Sequence, residues 1–171
     1  RLENVTVEGK TIIRGGGKDS IQFIDFTCGE VRVIKTGGKI RIVAIGDTKE
    51  EKVLLESGAH IEGNGIKTIT VLKADEEVLL DGDFENAAIE GDVKVIVSKD
   101  TKIATLQIKA EANINLDKGA KVMDLTIDAP VTITSEGTIE KAKINIGGAK
   151  LETEPKKHDI AEGKTVEIGG K

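Results

Sequence analysis

The chain has 171 residues and a net charge of −5, from 30 acidic and 25 basic side chains. This length is sufficient for one domain with a hydrophobic core. The acidic balance disfavours nucleic acid as a partner, because proteins that follow phosphates normally carry a basic face. A single cysteine excludes an intrachain disulfide, and the apolar runs are too short to predict membrane insertion.

In chain order, the first third of the sequence predicts short strands between glycine-rich turns. The patterns are NVTV and TIIR within 4–14, IQFIDF and EVRVI within 21–34, and KIRIVAI at 39–45. Segment 47–59 leaves two alternatives open. An N-cap residue, a charged first turn and a closing glycine favour a helical turn, whereas VLL at 53–55 favours another strand.

From residue 65 onward one motif repeats, in which an aliphatic residue precedes two polar or small residues and then alternating apolar positions. It reads GIKTITV at 65–71, DFENAAI at 83–89, KIATLQI at 102–108, KVMDLTI at 121–127 and TIEKAKI at 138–144. A second strand pattern interleaves with it at 77–80, 95–97, 113–116 and 131–133. The period is too short for a strand–helix–strand unit and indicates a solenoid.

The predicted fold is therefore all-β, a right-handed parallel β-helix of about 8–9 coils with 17–20 residues per coil. At about 4.8 Å per strand, the rod would be roughly 40 Å long. We expect one domain over 1–171, with 155–171 as a capping coil. Stacked inward ladders should be formed by Ile103–Val122–Ile139, Ile108–Ile127–Ile144 and Leu106–Leu125–Ala142.

Two sets of charged residues are candidate binding sites. Asp81, Asp83 and Glu85 resemble the start of a calcium loop, although the remaining ligands of such a loop are missing and an ordinary turn is the alternative. Arg14, Arg32, Lys35 and Arg41 predict a basic strip for an acidic polysaccharide, since Arg14 and Arg32 are separated by one period of the repeat and would stack on adjacent coils. The alternative for the strip is a solvated strand face.

Other patterns are consistent with ordinary structural roles. Cys28, His60 and His158 have no catalytic or metal-binding motif around them. The glycine-rich segment 14–20 lacks the spacing of a phosphate loop, and NVT at 4–6 matches a glycosylation sequon. The acid pairs Asp81/Asp83 and Asp124/Asp128 are the candidates for hydrolysis of a glycosidic bond, which needs two carboxylates about 5–10 Å apart.

Several phrases of the sequence resemble a known family. The stretches 4–26, 41–48, 78–91 and 137–171 are similar to the β-helical repeat region of bacterial surface proteins that carry S-layer homology domains, common in Gram-positive bacteria. The resemblance implies an extracellular module at the cell surface or cell wall, with the other domains of the parent protein as partners. It implies no catalytic residues and no cofactor. Because Arg1 stands where an initiator methionine would, we expect a processed or excised piece.

Three hypotheses for function follow. The first is a non-enzymatic structural or adhesion module that acts as a rigid spacer or binding rod. The second is a carbohydrate-binding module for a cell-wall or plant polysaccharide. The third is a polysaccharide lyase or hydrolase, since β-helices also host such enzymes. In each case the open strand edges at the rod ends predict end-to-end self-association.

Overall fold

The computed structural model describes residues 1–17 and 21–170, and within them every regular element is a β-strand. None of the described residues forms a helix long and apolar enough to cross a membrane. The strands are β1 (Leu2–Glu3), β2 (Thr6–Ile13), β3 (Ile21–Ile24), β4 (Thr27–Val33), β5 (Ile40–Ile45), β6 (Lys49–Leu55), β7 (Ala59–Gly63), β8 (Ile66–Val71), β9 (Val78–Asp81), β10 (Asp83–Ile89), β11 (Val93–Val97), β12 (Lys102–Ile108), β13 (Ala112–Leu116), β14 (Lys121–Ile127), β15 (Val131–Ser135), β16 (Thr138–Ile144), β17 (Lys150–Leu151), β18 (Lys157–Ile160) and β19 (Glu167–Ile168).

The strands form two parallel sheets that share one core. The odd-numbered strands make a 10-stranded sheet and the even-numbered strands a 9-stranded sheet, each in chain order. Each turn of the chain therefore contributes one strand to each sheet and hydrogen-bonds to the turns before and after it. The result is a β-solenoid of about nine turns, which confirms the all-β parallel β-helix predicted from the repeat.

The register confirms the predicted ladders in the second half of the chain. Ile103 pairs with Val122 and Val122 with Ile139, and the ladders that begin at Leu106 and Ile108 follow the same strands. All of these side chains are at most 4% exposed. The core is an aliphatic column because a narrow parallel solenoid places the same branched side chain at the same position of each turn.

Coil length varies more than the sequence predicts. Val33 pairs with Leu55, and Leu55 pairs in turn with Val71. The first of these coils is longer than the predicted range, and the second is shorter, so the prediction holds for the regular middle coils and fails here. The difference lies in the turns between the strands, which accept extra residues without disturbing the ladders.

Segment 47–59 contains β6, so the helical alternative is wrong and the strand alternative is confirmed. Val53 and Leu55 are fully buried, and they pair with strands on both sides. A helical turn here would leave the facing strand edges of β4 and β8 without hydrogen-bond partners inside the rod. That cost overrides the local capping pattern.

Two buried threonines close the corner between the sheets. The Thr48 hydroxyl accepts from the Phe26 backbone N–H at 3.3 Å and lies 2.7 Å from the Ile45 carbonyl oxygen, to which it donates. In the same way the Thr101 hydroxyl accepts from the Gly82 N–H at 3.1 Å and donates to a carbonyl oxygen at 3.2 Å. Each hydroxyl therefore satisfies backbone groups that the turn would otherwise bury unpaired.

The described rod ends differ in structure. At one end β2 has a register shift between Val7 and Lys10, and Gly9 there has φ of 120°. At the other end β18 and β19 pair with β16 and β17, so the parallel stacking continues into 155–171. The capping role of that segment and self-association through the ends stay predictions.

Candidate functional site

The four residues of the predicted basic strip lie on different elements: Arg14 follows β2, Arg32 lies on β4, Lys35 follows β4 and Arg41 lies on β5. Arg32 pairs in register with Ile12, so the expected stacking of Arg14 on Arg32 is wrong. The spacing of the later repeat does not apply to this longer coil. The Arg32 guanidinium instead donates to the Glu56 carboxylate, with Nε 2.6 Å from Oε1.

The other two members of the strip are placed elsewhere. Arg41 lies on β5 in the odd-numbered sheet, and its Nε donates to Glu62 Oε2 at 2.9 Å. Lys35 lies in the turn between the sheets and donates to the Lys39 carbonyl oxygen at 3.2 Å. The two arginines therefore neutralise neighbouring glutamates on different sheets and do not present one continuous basic surface.

The calcium-loop residues also diverge. Asp81 ends β9 in one sheet, whereas Asp83 begins β10 in the other and Glu85 follows it. Within 1–17 and 21–170, no three or more His, Cys, Asp or Glu side chains converge as metal ligands would. Calcium needs six to eight oxygen ligands, so these three residues alone would not complete its shell, and a calcium site at this position stays a prediction.

Cys28 and the two histidines are separated from one another. The Cys28 thiol is buried on β4 and donates to the Glu30 carbonyl oxygen at 3.1 Å. His60 lies on β7, with its Nε2 3.8 Å from the nearest oxygens of two carboxylates. His158 lies on β18, at the far end of the other sheet. Neither histidine lies on a strand that pairs with β4, and the residue in register with Cys28 on the next turn is the acid Glu50.

The remaining sequence candidates are the glycine-rich segment, the glycosylation sequon and the acid pair Asp124/Asp128. The glycine-rich segment 14–20 falls partly outside the described residues. Asn4 of the sequon is exposed and its backbone has φ of 55°, as in a turn. Asp124 lies 3.5 Å from the Lys141 ammonium, and Asp128 accepts a hydrogen bond of 2.7 Å from Asn145. These two carboxylates are engaged in separate contacts.

Glu50 is a buried acid that sequence reasoning missed. Its side chain is fully buried, and neither carboxylate oxygen has a hydrogen-bond partner. It lies on the inward ladder between Cys28 on the preceding turn and Ile66 on the next. Burial raises the pKa of this carboxyl from 4.5 to about 8, because the core disfavours the charged form.

Sequence reasoning also missed a polar groove on the even-numbered sheet, which has charged residues around an uncharged floor. Its floor consists of two outward rows on β8, β10 and β12, which the register aligns across the three strands. The rows are Thr68–Asn86–Thr105 and Thr70–Ala88–Gln107. The groove encloses about 400 Å³.

Charged residues border this polar groove, and four of them form two ion pairs, whereas Lys52, which is in register with Thr68 on the neighbouring strand β6, has no ion pair among the described residues. Lys67 donates to Glu51 at 2.6 Å on one rim, and Lys109 donates to Glu90 at 2.9 Å on the other. Beyond β12 the same face becomes charged, with Asp124 on the next strand. The uncharged floor is therefore limited to three strands.

The floor of the groove holds hydrogen-bonding groups that the protein itself does not use. Thr70 is only 7% exposed, and among the described residues no side-chain hydrogen bond is found for it or for the other four polar residues of the floor. On the odd-numbered sheet the situation differs, because Thr134 donates to Asn115 at 3.1 Å and Asn115 donates to Asp117 at 2.6 Å.

Comparisons with protein-family models, with curated proteins and with solved structures find no match to this chain.

Proposed function

We propose that this chain is a non-enzymatic structural module of a bacterial cell surface, a rigid rod that separates or presents the domains attached to it. The observation that supports the proposal is the continuous order of parallel strands in both sheets, from one end of the described chain to the other. Nine intervals of about 4.8 Å in the 10-stranded sheet give a rod of roughly 43 Å. Each turn contacts mainly the turns before and after it, so the length of the rod is set by the number of turns.

Charged side chains reinforce the stacking from outside. Glu77 accepts from Lys39 at 2.5 Å and from Lys94 at 3.0 Å, which links three turns of the odd-numbered sheet. Hydrogen bonds from the two lysines lower the pKa of Glu77. Glu140 is held in the same way between Lys156 at 2.8 Å and Lys121 at 3.3 Å. A network of several charges contributes more to stability than an isolated exposed pair.

The surface location rests on the resemblance of 4–26, 41–48, 78–91 and 137–171 to the repeat region of S-layer-associated proteins. A solvated exterior and an aliphatic interior suit a module that must remain folded without a partner. No cofactor enters this proposal. Attached domains of the parent protein are the expected partners.

Small-angle X-ray scattering on the wild-type chain and on a one-coil deletion tests the rod. Removal of 104–122 joins Ile103 to Met123 in the original register, because Ile103 pairs with Val122. We expect the maximum dimension to fall by about 5 Å with the cross-section unchanged. Turnover of any polysaccharide that a single substitution abolishes would overturn the non-enzymatic proposal.

A further inference from the structure

We propose that the first two turns of the rod, which contain β1 to β4, detach from the third turn as the pH rises and so bring water to the Glu50 carboxyl. Glu50 lies on β6 in the third turn, and the even-numbered sheet ends two strands away at β2. Its side chain is fully buried, and neither carboxylate oxygen has a hydrogen-bond partner among the described residues. The structure therefore places an ionisable group inside the core, close to one end of the described rod.

The inward surroundings of Glu50 hold no group that would stabilise a carboxylate. In its column Glu50 stands between Cys28 on β4 and Ile66 on β8. Across the core, the buried side chains of β3, β5 and β7 are all apolar. Cys28 is thus the one titratable side chain among the described residues that shares this part of the interior. Burial without a charged partner disfavours the ionised acid, so ionisation favours any movement that hydrates Glu50.

The charged residues on the same and neighbouring strands lie on the outside of the rod. On β6 itself, Glu51 and Lys52 are exposed. On β4, Glu30 is in register with Lys52 and pairs with Lys10 at 3.1 Å. On β5 and β7 the charged or titratable side chains alternate with buried ones, and these are Arg41, His60 and Glu62. They are therefore not positioned to neutralise Glu50 from within the core.

Opening at this end needs only the release of two turns. Each turn of a solenoid contacts mainly its neighbours, so terminal turns can open while the others stay stacked. Detachment of β1 to β4 breaks the β3–β5 and β4–β6 pairings and leaves the stack from β5 onward intact. The first turn is also loosely packed, because Leu2, Val5 and Val7 are only partly buried and β2 has a register shift.

Polar contacts hold the second turn against the third while Glu50 is neutral. The Phe26 backbone N–H donates to the Thr48 hydroxyl at 3.3 Å, and Arg32 Nε donates to Glu56 Oε1 at 2.6 Å. Both contacts cross from β3–β4 to β5–β6, and both are lost when the first two turns detach. They favour the closed form, which ionisation of Glu50 disfavours.

The direction of the pH effect follows from the two states of Glu50. Its pKa is about 8 in the closed form, and the ordinary value of 4.5 applies once the carboxyl is hydrated. The stability of the closed form is therefore complete below pH 4.5 and is lost as pH rises to about 8. With these pKa values, the equilibrium constant for opening rises about tenfold from pH 6 to 7 and about fiftyfold from pH 6 to 8, and it levels off above that.

Alkylation of Cys28 by iodoacetamide between pH 6 and 9 tests the proposal. Cys28 is the single cysteine of the chain, is 1% exposed and lies on β4 within the turns that detach. At each pH the rate for the folded chain is divided by the rate for the same chain in urea, which removes the ionisation of the thiol itself. We expect this normalised rate, relative to that of Glu50→Gln, to rise about tenfold from pH 6 to 7 and about fiftyfold from pH 6 to 8. Rates are compared where they are proportional to the reagent concentration, so that they report the equilibrium population of the open form.

A reporter at the other end of the rod separates local opening from global unfolding. Ala142 is 3% exposed on β16, the second strand from the opposite end of the same sheet, so Ala142→Cys in a Cys28→Ser chain is the matched control. Its alkylation should show no pH dependence that Glu50→Gln removes.

Two results would overturn the proposal. The first is the same pH dependence of Cys28 alkylation in wild type and in Glu50→Gln, and the second is an equal Glu50-dependent rise at Cys28 and at Ala142→Cys. Scattering at pH 6 measures the length of the closed rod. The spacer role and the opening of the first two turns therefore fail or succeed separately.

Discussion

Replacement of Glu50 tests the physical account of the core most directly. Glu50→Leu fills the same ladder position with an apolar side chain of similar size and removes a carboxyl that has no partner. We expect the substitution to stabilise the chain at every pH, because a buried polar group without a hydrogen bond costs about 1–3 kcal/mol even when it is neutral.

The stabilisation by Glu50→Leu should increase with pH. The pKa of Glu50 is about 8 in the folded chain, whereas the ordinary value of a glutamate, 4.5, applies in the unfolded chain. Since the folded pKa is the raised one, the stability contribution of the protonated acid is complete below pH 4.5 and is lost as pH rises to about 8. At about 1.4 kcal/mol per tenfold step, the full loss is on the order of 5 kcal/mol.

Urea unfolding of the wild-type chain, Glu50→Leu and Glu50→Gln between pH 4.5 and 9 measures the effect. The difference in unfolding free energy between Glu50→Gln and wild type should rise across this range and level off above pH 8, because glutamine does not titrate. The exposed carboxylates are the same in both proteins, so their contributions to the pH dependence cancel in this difference. Among the described residues, Cys28 is the one titratable side chain in register with Glu50 on an adjacent turn, and it is present in all three proteins.

If the difference in unfolding free energy between Glu50→Gln and wild type did not change with pH, the reasoning would be refuted. Such a result would mean that the Glu50 carboxylate is hydrated or paired with a cation in the folded chain. Lower stability of Glu50→Leu than of wild type would refute the assigned inward position. Unfolding curves from circular dichroism and from scattering must coincide before free energies are compared, because repeat proteins do not always unfold in one step.

Three further predictions concern the rod itself. Ile127→Ala should lower the unfolding free energy, measured in urea, by about 2–5 kcal/mol. Lys143→Ala, an exposed position on the paired strand β16, should change it by less than about 0.5 kcal/mol. Equal effects of the two substitutions would contradict the inward ladder. Thr101→Val should cost about 1–3 kcal/mol through loss of the two corner hydrogen bonds, measured by thermal unfolding with Thr132→Val as control. Gly65→Ala should destabilise by more than about 1 kcal/mol, because φ is 99° and a new Cβ would lie 1.9 Å from the Thr48 carbonyl oxygen; an unchanged melting temperature would show that the turn relaxes.

The register error at Arg14 and Arg32 shows where sequence reasoning reaches its limit. The predicted stacking assumes the spacing of the regular coils, whereas this coil is longer and Arg32 pairs with Ile12. A turn of variable length leaves no periodic signal, since its residues face solvent and need only polar character. The alignment of outward side chains, and hence any surface site, depends on those turns.

Glu50 illustrates a second limit. Simple alternation from Leu55 and Val53 places Glu51 inward and Glu50 outward, whereas in the structure Glu51 and Lys52 are both exposed and Glu50 is buried, which reverses this parity. The register follows the same arrangement, since Glu50 pairs with the buried Ile66 and Lys52 with Thr68. Alignment of 49–55 on the later motif, GIKTITV, would have placed Glu50 at the lead apolar position and revealed the buried acid.

The amino-acid sequence by itself determined the class of fold, the two strands per turn and the aliphatic ladders from Ile103 onward. These follow from local periodicity, because a side chain that recurs once per turn must stack on its predecessor when strands pair in parallel. Only the tertiary structure decided the strand at 49–55, the buried carboxyl of Glu50, the separation of the arginines and the groove at Thr70. Each depends on which residues of different turns become neighbours, and that is fixed by backbone pairing across turns of unequal length.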